Sequence, residues 1–306
     1  MSINYTSDNT FVFSFVRMNP PTPGHLELIK TMIGKAIELG TDKAYVITSS
    51  SLDGKNPLPC SSSSIPKAKN KSDAAIVANM TQSDLIYKST ILEKMISSYK
   101  IQLADSETDL SKKQQIKNFN VIVICSVGSP FGFIYNVIKN DFIDKGISKI
   151  NMFFIVGRDR ADFLDTIVDN FISKDYIKSI NGIILERQGM EALKTTGIGE
   201  RTIAEISPSE YSASFIRGLV KNSQREDFEQ VYSPYISPDE IEKLYETIKI
   251  GMTMKPPPSK DEDENPQSRY FDGGLLPVIN ETGGKRKKRK TRKNKKKSKR
   301  KFSRRK

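Results

Sequence analysis

Short apolar runs rich in β-branched and aromatic residues alternate along this chain with longer segments of helical periodicity. FVFSFVR (11–17), KAYVITS (43–49), NVIVICSV (120–127), KINMFFIVG (149–157) and NGIILER (181–187) read as strands. GHLELIKTMIGKAIEL (24–39), residues 81–99, FGFIYNVIKND (131–141) and DRADFLDTIV (159–168) carry apolar residues at helical spacing. Strands that are apolar throughout need cover on both faces, and the intervening helices supply it. The pattern predicts a doubly wound (Rossmann-like) parallel α/β sheet of about five to six strands with helices on both faces. RTIAEIS (201–207) is the candidate sixth strand, and SASFIRGLVKN (212–222) and PDEIEKLYETIKI (238–250) add helices. The polar stretch from Ser50 to Met80 predicts a long loop. The folded domain is expected over residues 8–250. MKPPPSKDEDENPQ opens a linker over 251–284, and residues 285–306 form a polybasic tail that cannot bury a core and is expected to be disordered.

The charge belongs mostly to that tail. The whole chain carries 49 Lys and Arg against 36 Asp and Glu, a net charge of +13, and 17 of the basic residues lie in 285–306. Residues 1–284 are therefore left at −4. Contact with nucleic acid is thus an expectation for the tail, not for the fold. It would be non-specific and salt-dependent, without base stacking, since Phe302 is the tail's one aromatic residue. Cys60 and Cys125 could pair. Two cysteines in a chain of 306 residues nevertheless predict reduced thiols in an intracellular protein, cytoplasmic or nuclear. MSINYTSDNT lacks the apolar core of a signal peptide, and no apolar run nears the ~20 residues that span a bilayer, so a soluble protein without a membrane partner is expected. Oligomeric state is not legible.

The one histidine, His25, stands in NPPTPGH (19–25), directly after the first strand and at the start of the first helix. Parallel sheets bind ligands beyond the carboxyl ends of their strands. Prolines restrict the loop path, Gly24 allows close backbone approach, and the amides opening the helix attract anions. Thr22 adds a hydroxyl and His25 a donor. The chain has neither GxxxxGK[ST] nor GxGxxG. The alternative is a proline-rich turn whose histidine only caps the helix.

Thr22-Pro23-Gly24-His25 resembles the T/HxGH signature of the nucleotidyltransferase superfamily. Tyr211-Ser212-Ala213-Ser214-Phe215-Ile216-Arg217 resembles its second signature, ISSTxxR, with Tyr for the branched aliphatic and Ala-Ser for Ser-Thr. Gly157-Arg158-Asp159 is similar to the GxD of nicotinamide-mononucleotide adenylyltransferases, and the strand ending Glu186-Arg187-Gln188-Gly189 is similar to their later strand. Arg17-Met18-Asn19-Pro20 resembles the GRxxP opening of that branch, with Val16 for glycine. SLDGKNPL (51–58) resembles the serine-then-NP loop of archaeal and phage members. The basic residue that the family carries soon after NPL has no near counterpart, because a serine- and lysine-rich insertion (59–73) intervenes. Tails like this one after Gly283-Gly284 also resemble those of giant DNA virus proteins.

The resemblance implies transfer of a nucleotidyl group, adenylyl before cytidylyl, from a nucleoside triphosphate to a phosphorylated small molecule, with release of pyrophosphate. Nicotinamide mononucleotide is the leading acceptor. His25, Thr22 and Arg217 would be catalytic. Arg17, Gly24, Gly157, Asp159, Arg187, Ser212 and Ser214 would bind nucleotide and phosphate, and Lys55 and Asn56 would face the acceptor. Mg²⁺ would be held mainly by substrate phosphates, which suits the lack of an acidic cluster beside either motif. No residue is assigned as a metal ligand. Lys88 is left outside the site. The alternative function is a catalytically weak nucleotide-binding module recruited to nucleic acid by the tail.

Overall fold

The computed structural model of the protein describes residues 8–65, 71–82, 84–126, 130–185, 203 and 206–254. Five strands, β1 (Thr10–Val16), β2 (Lys43–Ser49), β3 (Asn120–Ser126), β4 (Ile150–Gly157) and β5 (Ile177–Leu185), form one sheet in the order β3-β2-β1-β4-β5. Every neighbouring pair is parallel, and central Phe13 lies in register with Tyr45 on one side and Phe154 on the other.

The helices are α1 (Pro23–Glu38), α2 (Lys71–Gln82), α3 (Lys88–Ser106), α4 (Leu110–Asn118), α5 (Pro130–Asp141), α6 (Phe163–Phe171), α7 (Ala213–Lys221), α8 (Arg225–Tyr232) and α9 (Pro238–Met252). Successive strand residues point to opposite faces. Phe11, Phe13 and Phe15 join Tyr45, Phe154 and side chains of α5 and α6 in one core. Val12, Val46 and Ile155 join residues of α1, α3, α7, α8 and α9 in the other. Phe11, Phe13 and Phe154 are 0% exposed. Burial of each such side chain contributes roughly 1.5–3 kcal/mol, so helices must cover both sides of β1. The doubly wound class expected from the sequence is the fold observed.

Several elements differ from expectation. The stretch expected as a loop from Ser50 to Met80 contains α2, and the expected helix over 81–99 begins instead at Lys88 and runs to Ser106. α4 escaped sequence reading because only Ile116 on it is buried, which leaves no apolar stripe to detect. α8 is too short, at 8 residues, to establish a period. β5 begins at Ile177, before the expected Asn181. In the proposed sixth strand, Ile203 and Ile206 are buried and Ser207 caps a 3-10 turn (Pro208–Glu210). The rest of that segment is outside the described residues. The two cysteines, expected to be reduced, form a disulfide between Cys60 and Cys125. β3 brings Cys125 beside the loop after β2, a proximity that 65 residues of separation hide. Among the described residues no helix is long and apolar enough to cross a membrane. The expected linker and tail lie outside the described residues apart from 251–254.

Candidate functional site

The strand order reverses direction about β1: β2 and β3 lie to one side, β4 and β5 to the other. A crevice at such a switch point is the usual ligand site of an open parallel sheet. A cavity of about 860 Å³ opens there, at the carboxyl ends of β1, β4 and β5, lined in part by Val16, Gly157 and Leu185. Its volume falls in the range of small-molecule sites, roughly 300–1,000 Å³.

The N-terminus of α1 forms one wall. Thr22 is the N-cap, and its N–H donates to His25 Nδ1 at 3.0 Å. With Nδ1 accepting that bond, the ring proton of neutral His25 sits on Nε2, which leaves His25 a donor at the cavity that it lines. The Thr22 hydroxyl donates to Tyr211 O at 2.7 Å, and Thr22 is 1% exposed. Thr22 therefore joins the two motifs and is not among the described residues that line the cavity. Gly24 is required by close approach rather than by φ. A Cβ there would stand 2.6 Å from Tyr211 O and 3.0 Å from Ser209 O. Tyr232 of α8 donates to Pro21 O at 2.6 Å and steadies the proline loop from behind.

The N-terminus of α7 forms the facing wall. Ser212 is its N-cap, accepting from Phe215 N at 3.1 Å, and also lines the cavity. Arg217 donates through Nη1 to Asn19 O at 2.7 Å and through Nη2 to Ser214 Oγ at 3.1 Å. Burial lowers the Arg217 pKa, and nearby Asp53 opposes that shift. Two motifs 189 residues apart are thus tied together by Thr22–Tyr211, and a second tie runs from Arg217 to Asn19.

The loop after β2 closes the third side. Asp53 Oδ1 accepts from the backbone of Lys55 and Asn56, and both its oxygens accept from the Asn56 side chain. Asn56 is therefore engaged in its own turn, although both it and Lys55 line the cavity. Asn19 clamps this loop, donating to Leu58 O at 3.0 Å and accepting from Leu58 N at 2.9 Å. α9 presses on it at Gly251, where a Cβ would come within 2.0 Å of Pro57 O.

No family model matches the chain, and no curated protein matches it.

Arg17, Lys55, Arg160 and Arg217 line the cavity, and Glu27 is the one carboxylate among the described lining residues. Two helix N-termini add roughly half a positive charge each. Helix N-termini and arginines of this kind are groups that bind anionic oxygens. Among the described residues no group of three His, Cys, Asp or Glu could hold a metal. Of the expected site residues, the structure brings together His25, Gly24, Arg17, Lys55, Asn56, Gly157, Ser212, Ser214 and Arg217. Asp159 lies in the turn after β4 with its side chain undescribed, and Arg187 is outside the described residues.

Sequence reading missed Asn19 as a clamp, Asp53 as the anchor of its turn, and Arg160 in the lining. It also left out Lys88. The chain leaves Cys60, passes through the insertion and α2, and returns to the same spot: Lys88 N donates to Pro59 O at 2.9 Å and Ser89 N to Cys60 O at 3.2 Å. A basic residue thus stands directly after the NPL turn in space. The one available signal was a lysine opening an apolar-striped helix.

Proposed function

We propose that this protein is a nucleotidyltransferase, moving a nucleotidyl group, adenylyl in our reading, from a nucleoside triphosphate to a phosphorylated small molecule with release of pyrophosphate. The observation that carries this reading is the convergence of two helix N-termini, each bearing one of the two motifs, on a single cation-lined cavity at the sheet's switch point. An acceptor phosphate oxygen attacks the α-phosphorus in line, forming the new O–P bond as the bond to pyrophosphate breaks. His25 Nε2–H donates to a non-bridging oxygen of the α-phosphate as charge gathers there. The α7 amides, with Ser214 and Arg217, hold the leaving β- and γ-phosphates. Lys55 and Arg17 face the incoming acceptor phosphate. Such catalysis is positioning and charge stabilisation, with no covalent step for the protein. The triphosphate enters as its Mg²⁺ salt, whose metal neutralises phosphate charge. That Glu27 is the one carboxylate among the described lining residues suits a metal carried by substrate oxygens and water.

The test is pyrophosphate release, crossing ATP and CTP with a panel of phosphorylated acceptors, for the full chain and His25→Ala. Release that needs one nucleotide, one acceptor and His25 sustains the reading and names both substrates. Absence of triphosphate binding in the unaltered protein overturns it.

A further inference from the structure

Lys88 opens α3, is 1% exposed, and is absent from the cavity lining. A lysine this deeply buried needs partners for its nitrogen. It has two backbone carbonyls, Arg17 O at 3.0 Å and Ser49 O. These carbonyls lie just past the carboxyl end of β1 and at the last residue of β2, neighbours in the sheet. Thr48 Oγ1 also donates to Arg17 O, at 3.1 Å, so the junction is closed from both strands. The Lys88 backbone N–H holds Pro59 at the far end of the loop that leaves β2.

We propose that Lys88 is a positioning residue for the candidate site: its side-chain nitrogen ties the backbone of Arg17 to that of Ser49 and fixes the gap from which the Arg17 side chain and the 50–58 loop reach the cavity. Parallel strands diverge where their ladder ends, and here the ladder ends under the site. The last paired residues of β1 and β2 are Val16 and Thr48. Past that rung β1 and β2 no longer pair with each other, and the lysine stem crosses from α3 to donate to Arg17 O on one side and Ser49 O on the other. Burial pushes the Lys88 pKa down to about 7. Near neutrality much of the group is then an uncharged amine. It still has two N–H donors for two carbonyls, so the tie survives loss of the proton. The inference rests on the geometry around the cavity and not on the reaction proposed for it.

The test compares Lys88→Met, which fills the space without a donor, and Lys88→Gln, which keeps an amide donor without charge, in the full chain. Two readouts are taken: amide hydrogen exchange over residues 17–19 and 49–58 without ligand, and calorimetric titration with inorganic tripolyphosphate. K88M is expected to speed exchange in both segments about tenfold and weaken tripolyphosphate binding about tenfold, as loss of buried hydrogen bonds implies. K88Q is expected to stay within about threefold of the unaltered protein in both. K88M behaving as the unaltered protein overturns the proposal. So does K88Q with normal exchange but the affinity loss of K88M, which would make Lys88 a direct charge for the anion. If the unaltered protein binds no tripolyphosphate, the phosphate reading of the cavity falls and exchange alone judges Lys88. If K88M does not fold, K88Q decides: slow exchange sustains the tie and fast exchange in both segments overturns it.

Discussion

The facing helix walls of the cavity, taken together, and the loop wall after β2 are held by different kinds of contact. The side from α1 and α7 opens on caps, Thr22 with His25 and Ser212 with Phe215, each spanning three residues, and the two caps are then joined by Thr22 to Tyr211 O. The wall from residues 50–60 is made of distant ties. Asn19 reaches Leu58 across 39 residues, Cys60 reaches Cys125 across 65, and Lys88 returns to Pro59 after the insertion. The first wall is written in motifs, because a cap must sit beside the helix it caps. The second is written in the fold, and its residues look ordinary until the chain has closed.

His25→Ala should break the first wall's function more than its structure. Under the proposed reaction, turnover falls about 10²–10³-fold, as for loss of one transition-state donor. Stability should fall modestly, by about 0.5–2 kcal/mol, because half-buried His25 also accepts the Thr22 N–H at the start of α1. Asn19→Ala tests the second wall. It strands the buried N–H and C=O of Leu58 and should cost about 2–4 kcal/mol in denaturant unfolding. A loss below 1 kcal/mol would mean that the disulfide and α9 hold the loop without the clamp.

A pH series sharpens the same wall. The Lys88 pKa is lowered on folding, so above about pH 7 the native state has released a proton that the unfolded chain keeps. Stability from Lys88 therefore rises with pH between about 7 and 10, by up to roughly 1.4 kcal/mol per unit. Urea unfolding at pH 7 and pH 9 should show this rise in the unaltered protein and not in Lys88→Met. An equal slope in both would deny the burial of a titrating lysine. Gly24→Ala tests the seam between α1 and the second motif. Its methyl group meets backbone carbonyls that cannot swing aside, and a loss of about 1–3 kcal/mol is expected. A neutral result would mean that the two motifs are not in tight contact.

β2 is legible to the residue, and β1, β3 and β4 to within a residue or so at each end, because each is a continuous apolar run. Both helix N-termini are legible because Thr22 and Ser212 are residues that cap. Thr22's true partner was not legible, since Tyr211 O is a main-chain atom set by tertiary packing. Nor was Lys88, which the insertion separates from the turn that it anchors. α2 was hidden in a polar stretch whose serines and lysines suggested a loop. The cysteine pair was misread on composition, an argument that knows the number of thiols and nothing of where β3 places one of them.

In the proposed function the N-termini of α1 and α7 serve one anion. The most direct test of this is a titration of the isotopically labelled full chain with ATP and Mg²⁺, following the backbone amides of Gly24, His25 and Leu26 together with those of Ala213, Ser214 and Phe215. The account requires both sets to shift along one curve with one Kd. If only one set moves, or the two give dissociation constants more than about tenfold apart, a difference of about 1.4 kcal/mol, the two helix N-termini do not share a ligand and the proposed site is wrong.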